Sequence, residues 1–321
     1  MNLPSARWGA MLITLLPASA VAQRATQVVL DNDSFNFWQA PARRADREYT
    51  QGTRFMVLVP THNALVRRLL GGPNSCESNG NHDCRMASFA LTQGIYTPTL
   101  NVLRRLPGER PYAGWLGGEV GVLRERRHAM TALALEVGVT GAASLAAPAQ
   151  KAVHRLFGFP EPQGWDAQLP SELAALATYR GAATLIRLMP ARAGMRALLA
   201  PVWTLRAGTV ATDATAGAQL TLGLNAPAPW KSATNVYGDR WSLFIRAGAQ
   251  QTVVARNVFL DGSTFSSSVR VDKLRWVAEQ QLGVGARTPL GLLEWQVHSR
   301  GREYRMQPRA HAYSTLSFSV R

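Results

Sequence analysis

From Gln27 onward the chain alternates apolar and polar residues with a period of two, in segments of about ten residues separated by Gly, Pro, Asn and Asp. Leu133, Leu135, Val137 and Val139 alternate with Ala134, Glu136, Gly138 and Thr140, and Ala218, Leu220, Leu222 and Leu224 alternate with Gln219, Thr221, Gly223 and Asn225. Leu243 and Ile245 likewise oppose Arg246 and Gly248, Leu293, Trp295 and Val297 oppose Glu294, Gln296 and His298, and Leu316, Phe318 and Val320 close the chain opposite Thr315, Ser317 and Ser319. An apolar row backed by glycines and charged residues is what a closed barrel in lipid requires, because every backbone group is paired between strands while the lumen can be wet. A soluble β-sandwich has the same period with its apolar residues inward, but the strand length and the strongly polar second face favour the membrane barrel. Segments start near Gln27, Gly52, Met86, Trp115, Met130, Leu173, Met195, Thr215, Trp241, Gln251, Leu274, Gly291 and Tyr313. An even total is expected, so an antiparallel barrel of roughly twelve strands is predicted, with the weak Gln251 segment as the surplus one.

One stretch departs from this period. Between Ser144 and Phe157, Leu145, Ala149, Ala152, Val153 and Leu156 recur at helical spacing, which predicts a short helix in one inter-strand loop, ended by Gly158 and Pro160. Loops of this kind often carry function.

Hydropathy explains how such a chain escapes notice: the mean is −0.08, because each outward apolar residue is averaged with an inward polar one. No apolar run is long enough for a transmembrane helix. Residues 1–22 read as a secretory signal, with Arg7, an apolar stretch from Trp8 to Leu16, Pro17, and the small-residue site Ala20-Val21-Ala22, leaving residues 23–321 as one barrel domain. Export makes an oxidised pair of the two cysteines, Cys76 and Cys84, the favoured reading; a metal site with His82 and Asp83 is the alternative. The formal charge is +15 and falls to +14 without Arg7. In an exported protein this favours an anionic lipid over nucleic acid as partner.

Three constellations could carry chemistry. Asp31-Asn32-Asp33, closing the first strand, suits a hard cation or the orientation of a histidine, and equally suits a plain turn. Thr50, in Asp46-Arg47-Glu48-Tyr49-Thr50-Gln51-Gly52, could bind substrate or help position a water, or could simply open a strand. His154 lies on the inserted helix beside Lys151 and Arg155, with Glu161 seven positions on; it is either a structural histidine or a general base. A seven-residue spacing would align His154 with Glu161 on a helix, but Gly158 and Pro160 break the helix first. No GxSxG, HExxH or Walker motif occurs, so attack by water is the chemistry this set best supports.

At these same residues the sequence resembles the outer-membrane lipid A 3'-O-deacylase family, known as LpxR. The matching stretches are Asp31-Asn32-Asp33, Asp46 to Gly52, Ile95-Tyr96-Thr97-Pro98, Glu109 to Trp115, Gly141 to Trp165 with Gln150 and His154, Asp166, Gln168, and Arg256 to Gly262. The resemblance implies a twelve-stranded outer-membrane barrel that removes 3'-linked acyl chains from lipid A with Ca²⁺, at a site between barrel wall and outer leaflet; a monomer is expected. It assigns function to Asn32, Asp33, Thr50 and His154, with Asp33 near the metal, His154 as base, and Glu161 as the acidic residue, Glu172 being the fallback. Two departures stand out: Glu109 replaces the family's Asp, and the chain ends Val320-Arg321 rather than on an aromatic residue. An inactive barrel acting as a channel or lipopolysaccharide-binding protein, and a phospholipase-type barrel, are the competing readings.

Overall fold

A computed structural model describes residues 24–36, 47–71, 83–98, 107–187, 194–231 and 241–320 of the 321. The expected signal segment and Cys76 lie outside these. The described residues form thirteen strands: β1 (Ala25–Asn32), β2 (Glu48–Pro60), β3 (Asp83–Thr97), β4 (Ala113–Arg126), β5 (Ala129–Thr140), β6 (Leu173–Ala183), β7 (Ile186–Arg187), β8 (Met195–Gly208), β9 (Ala211–Leu224), β10 (Ser242–Asn257), β11 (Trp276–Thr288), β12 (Gly291–Arg300) and β13 (His311–Val320). All neighbours are antiparallel, β1 pairs with β13 and β6 pairs with β8, so the sheet closes on itself as a twelve-stranded barrel with the two-residue β7 as a side piece. Closure leaves no wall strand with an unpaired edge, the condition for burying a sheet in lipid.

The surplus segment is resolved as anticipated. The Trp241 and Gln251 segments are one sixteen-residue strand, β10, whose burial alternates across Gln250 and Gln251. Two consecutive glutamines interrupt the apolar pattern without interrupting the strand. Elsewhere, β2 begins four residues before Gly52, at Glu48, and β13 two before Tyr313, at His311.

The apolar row faces outward. Leu293, Phe318, Val28, Phe55 and Leu91 are successive cross-strand partners over β12, β13, β1, β2 and β3, and all but Val28 are large side chains left exposed. In water such a patch would be a liability; against acyl chains it is the required surface. The inner face carries the charge: Arg54 meets Glu119 at 2.7 Å, Arg246 meets Glu294 at 2.6 Å, and the Trp115 indole donates to Glu136 at 2.8 Å. The alternation seen in sequence is therefore lipid and lumen, not core and solvent.

At the rim away from the chain ends the lumen is filled. Arg110, fully buried, lies 3.3 Å from both Glu48 and Glu303, with its guanidinium over the Tyr96 ring. Arg300 bridges Glu303 at 3.1 Å to Glu279 at 2.9 Å, Glu279 meets His298, and Thr315 joins His298 to Asp31. Tyr49 donates to Asp31 from the other side at 2.7 Å. A short helix, α3 (Val258–Asp261), turns Phe259 onto Tyr96 with ring centroids 4.1 Å apart, adding an apolar layer with Trp115, Leu176 and Val210.

At the opposite rim Cys84 is disulfide-bonded, and Asp83 is held by two of the three Arg124 guanidinium nitrogens at 2.6–2.7 Å. Both side chains are thereby engaged in ways that disfavour the alternative metal site.

Candidate active site on the outer wall

Gly141–Ser144 forms a 3-10 turn, Leu145 takes a left-handed step, and helix α2 runs over Ala146–Phe157 to a left-handed Gly158. The predicted helix exists, but its apolar stripe is not the docked face. Ala146, Gln150 and His154, spaced by four, are the buried positions, whereas Leu145 is 55% and Leu156 78% exposed. The docked face thus combines Ala146 with the polar Gln150 and His154, while the large apolar side chains Leu145 and Leu156 point away.

The seat for α2 is on the outside of β3 and β4. Leu91, Gln93 and Ile95 share the outward series of β3; Gln93 donates to the Ser144 carbonyl at 2.9 Å, and Ile95 packs with Tyr112, Ala146 and Trp165. Gly114, the partner of Ile95 on β4, makes the close approach possible, since a Cβ there would stand 2.0 Å from Ser144 Oγ and 2.4 Å from Ala146 Cβ. Gln150 accepts from the Trp165 indole at 2.9 Å, which ties the segment after α2 back to the helix. A groove of about 500 Å³ runs between them, lined among others by Lys151, Trp165, Gln168 and Ser171.

His154 is 6% exposed, and its Nδ1 lies 2.5 Å from the Pro160 carbonyl. A carbonyl can only accept, so Nδ1 carries a proton, which leaves Nε2 as the nitrogen through which the ring would act as a base. The loop geometry that sequence could not supply is this return: Phe159 N–H bonds the His154 carbonyl and Pro160 then reaches the ring.

Asp33 and Thr50 are brought together at the rim, the Asp33 N–H donating to the Thr50 carbonyl at 3.1 Å. The Asp33 carboxylate accepts the Arg47 N–H at 3.1 Å, and Asn32 accepts the Ser34 N–H at 2.7 Å in a local turn. The turn reading of Asn32 therefore holds for one of its atoms. Thr50 sits at a bulge, where the pairing of β2 with β3 slips between Tyr49 and Gln51. Its hydroxyl lies 2.7 Å from that of Thr97, which continues the outward series of Leu91, Gln93 and Ile95, while Tyr49 points into the lumen. Thr97 and Gly114 are the neighbours that reading single residues missed; both lie inside the quoted motifs, which were the only signal for them.

The two glutamates part company. Glu161 is half exposed and pairs with Lys151 at 3.6 Å. Glu172 is buried and clasps the loop after α3, accepting from the Ser263 hydroxyl at 2.9 Å, the Thr264 N–H at 2.9 Å, the Thr264 hydroxyl at 3.1 Å and the Phe265 N–H at 3.2 Å. Burial by itself would raise the Glu172 carboxyl, but the donors of Thr264, Ser263 and Phe265 outweigh it and hold the group below the ordinary glutamate value of 4.5.

The Asp33 carboxylate, Asn32 amide and Thr50 hydroxyl offer oxygen donors of the type a hard cation such as Ca²⁺ takes, and each is engaged within the chain, with the Arg47 N–H, the Ser34 N–H and the Thr97 hydroxyl. They include one carboxylate, and no cluster of three His, Cys, Asp or Glu occurs among the described residues.

Comparisons with known proteins place the chain. Among solved structures it is similar to LpxR from Salmonella typhimurium, with a TM-score of 0.71 at 16% identity over 92% of this chain and 99% of that one. The β domain of the Bordetella autotransporter BrkA and the translocator domain of NalP from Neisseria meningitidis also align, at TM-scores of 0.45 and 0.41 and 10% identity, over 93% of this chain and 98% and 87% of theirs. No curated protein sequence matches. The family model described as outer membrane protein LpxR matches residues 8–321, and on that extent the chain belongs to the LpxR family of outer membrane proteins.

Proposed function

We propose that this protein is a lipid A 3'-O-deacylase, an outer-membrane esterase that hydrolyses 3'-linked acyl chains with His154 as general base. The observation that carries the reading is the seating of His154: a buried histidine, its Nδ1 proton held by the Pro160 carbonyl, on a helix that docks against the lipid-facing side of a barrel wall. A channel does not require this arrangement, and the charged side chains packed into one end of the lumen oppose an open pore.

Nε2 takes a proton from water as the water oxygen attacks the acyl carbonyl carbon. The proton then passes to the departing 3' oxygen, giving a free fatty acid and a 3'-hydroxyl. Thr50, with Thr97 holding its hydroxyl, and Asn32 orient the ester at the rim. Asp33 would hold Ca²⁺, which when bound supplies positive charge to the carbonyl oxygen as it becomes an oxyanion. With one carboxylate in the donor set its affinity falls at the weak end, about 10⁻⁴–10⁻³ M. Glu161 is the acidic member of the set; its contact with Lys151 is solvent-screened, contributes under about 1 kcal/mol, and is readily exchanged when substrate phosphate meets Lys151. The groove beside Lys151 and Gln168 is placed to take the sugar.

Mass spectrometry of lipid A from cells with and without the protein tests this. The 3' acyl group is expected to be lost with the wild type and retained with His154→Ala; unchanged lipid A in the presence of folded wild-type barrel sinks the reading.

A further inference from the structure

We propose that Glu48 is a positioning residue for the rim site: its carboxylate, gripped inside the barrel by Arg110 and Tyr304, holds the backbone step that sets Asp33 and Thr50 on the wall.

Glu48 has φ +60°, a left-handed conformation that residues with side chains avoid. Glycine would adopt it freely, but glycine has nothing by which to be held. Glu48 is 2% exposed, and its two carboxylate oxygens are taken by Arg110 at 3.3 Å and the Tyr304 hydroxyl at 2.9 Å. These partners come from the segments before β4 and between β12 and β13, so three separate parts of the rim converge on one side chain. Arg110 is in turn fixed by Glu303 and by the Tyr96 ring.

The neighbours of this step make the contacts that set Asp33 and Thr50 at the rim. Arg47 N–H holds the Asp33 carboxylate, the Thr50 carbonyl holds the Asp33 N–H, Tyr49 is sent inward to Asp31, and Thr50 is left beside Thr97. A left-handed residue immediately before a bulge re-aims the residues that follow, which is how a strand that should send position 50 inward with Gly52 instead brings Thr50 to Thr97. The charged lumen is on this view the anchor of the outer site, acting through a single glutamate.

The inference rests on the deacylase reading, and the test separates the two. Purified full-length barrels of wild type, Glu48→Gln and Glu294→Gln are compared on lipid A. Glu294, 2.6 Å from Arg246, is an equally buried ion-pair partner in the wall and serves as the stability control. Glu48→Gln is expected to lower kcat about 10²-fold with KM within about twofold, whereas Glu294→Gln leaves both near wild type. Equal kcat for Glu48→Gln and wild type overturns the inference. If wild type itself leaves lipid A intact, the deacylase reading fails and the inference is judged by amide exchange: faster exchange confined to residues 47–50 in Glu48→Gln supports it, and unchanged exchange there overturns it. Should Glu48→Gln not fold, Tyr304→Phe removes only the hydroxyl donor and is expected to lower kcat about tenfold, with an unchanged kcat again overturning the proposal.

Discussion

The two sides of the wall at the β2 bulge are built on opposite terms. Inside, Glu48, Arg110, Glu303, Arg300 and Glu279 are packed so that each charge has an opposite neighbour within about 3.3 Å. Outside, the proposed catalytic groups are few and joined mainly through backbone: His154 to the Pro160 carbonyl, Asp33 to the amide of Arg47. Strongly perturbed titratable groups are usually the first pointer to an active site. Here the most heavily paired ones are scaffold: burial would raise the Glu303 carboxyl, but Arg300 and Arg110 outweigh it and hold it low. Dense ion pairing marks what must not move, and the sparse site marks what must meet a substrate.

The sharpest way to separate the sides is to displace the outer one without touching any charge. Gly114→Val puts methyl groups where Ser144 and Ala146 already stand, so α2 must lift from the wall and carry His154 with it. Lipid A deacylation is expected to fall by about 10²-fold or more, while the unfolding transition followed by circular dichroism changes little. A normal deacylation rate in this variant would mean that the seat of α2 does not position the base.

The converse experiment attacks the inner side. Arg110→Met leaves Glu48 and Glu303 buried without their shared cation, and breaking a buried pair in this way costs about 3–5 kcal/mol. The expected readout is a markedly lower unfolding midpoint of the detergent-solubilised barrel. Loss of activity with an unchanged midpoint would erase the distinction between scaffold and site.

How much of this was legible in the chain follows from periods and contacts. Outward Leu135 and Val137 and inward Glu136 are read directly from alternation, because a strand wall has one rule for every residue. The rule fails where the backbone departs from it: parity counted from Gly52 sends Thr50 inward, and nothing in the residues Tyr49-Thr50-Gln51 announces a bulge. The helix was legible from its spacing, but the docked face was not, since Leu145 and Leu156 look like a core stripe to any reader who assumes water outside. The contact between His154 and Pro160 depends on a return across Gly158 that spacing arguments do not describe. Short motifs retained the rest, carrying Thr97 and Gly114 as unremarked members.

The mildest test concerns Glu172, which joins the start of β6 to the loop after α3. Its folded carboxyl is held low, so the clasp contributes stability that is present above the ordinary value of 4.5 and is lost as pH falls through the lower folded value. Glu172→Gln removes the charge but keeps an acceptor, and a hydrogen bond to a charged group is worth about 1.5–3 kcal/mol, so the loop at 263–265 should open locally rather than unfold the barrel. Amide exchange at Thr264 and Phe265 is the measurement: faster in the variant at neutral pH, and equal to wild type once the pH is low enough to protonate Glu172. A catalytic Glu172 would behave differently, losing deacylation at neutral pH with the loop still protected. That outcome would move the acidic residue of the site from Glu161 to Glu172 and turn the clasp from scaffold into chemistry.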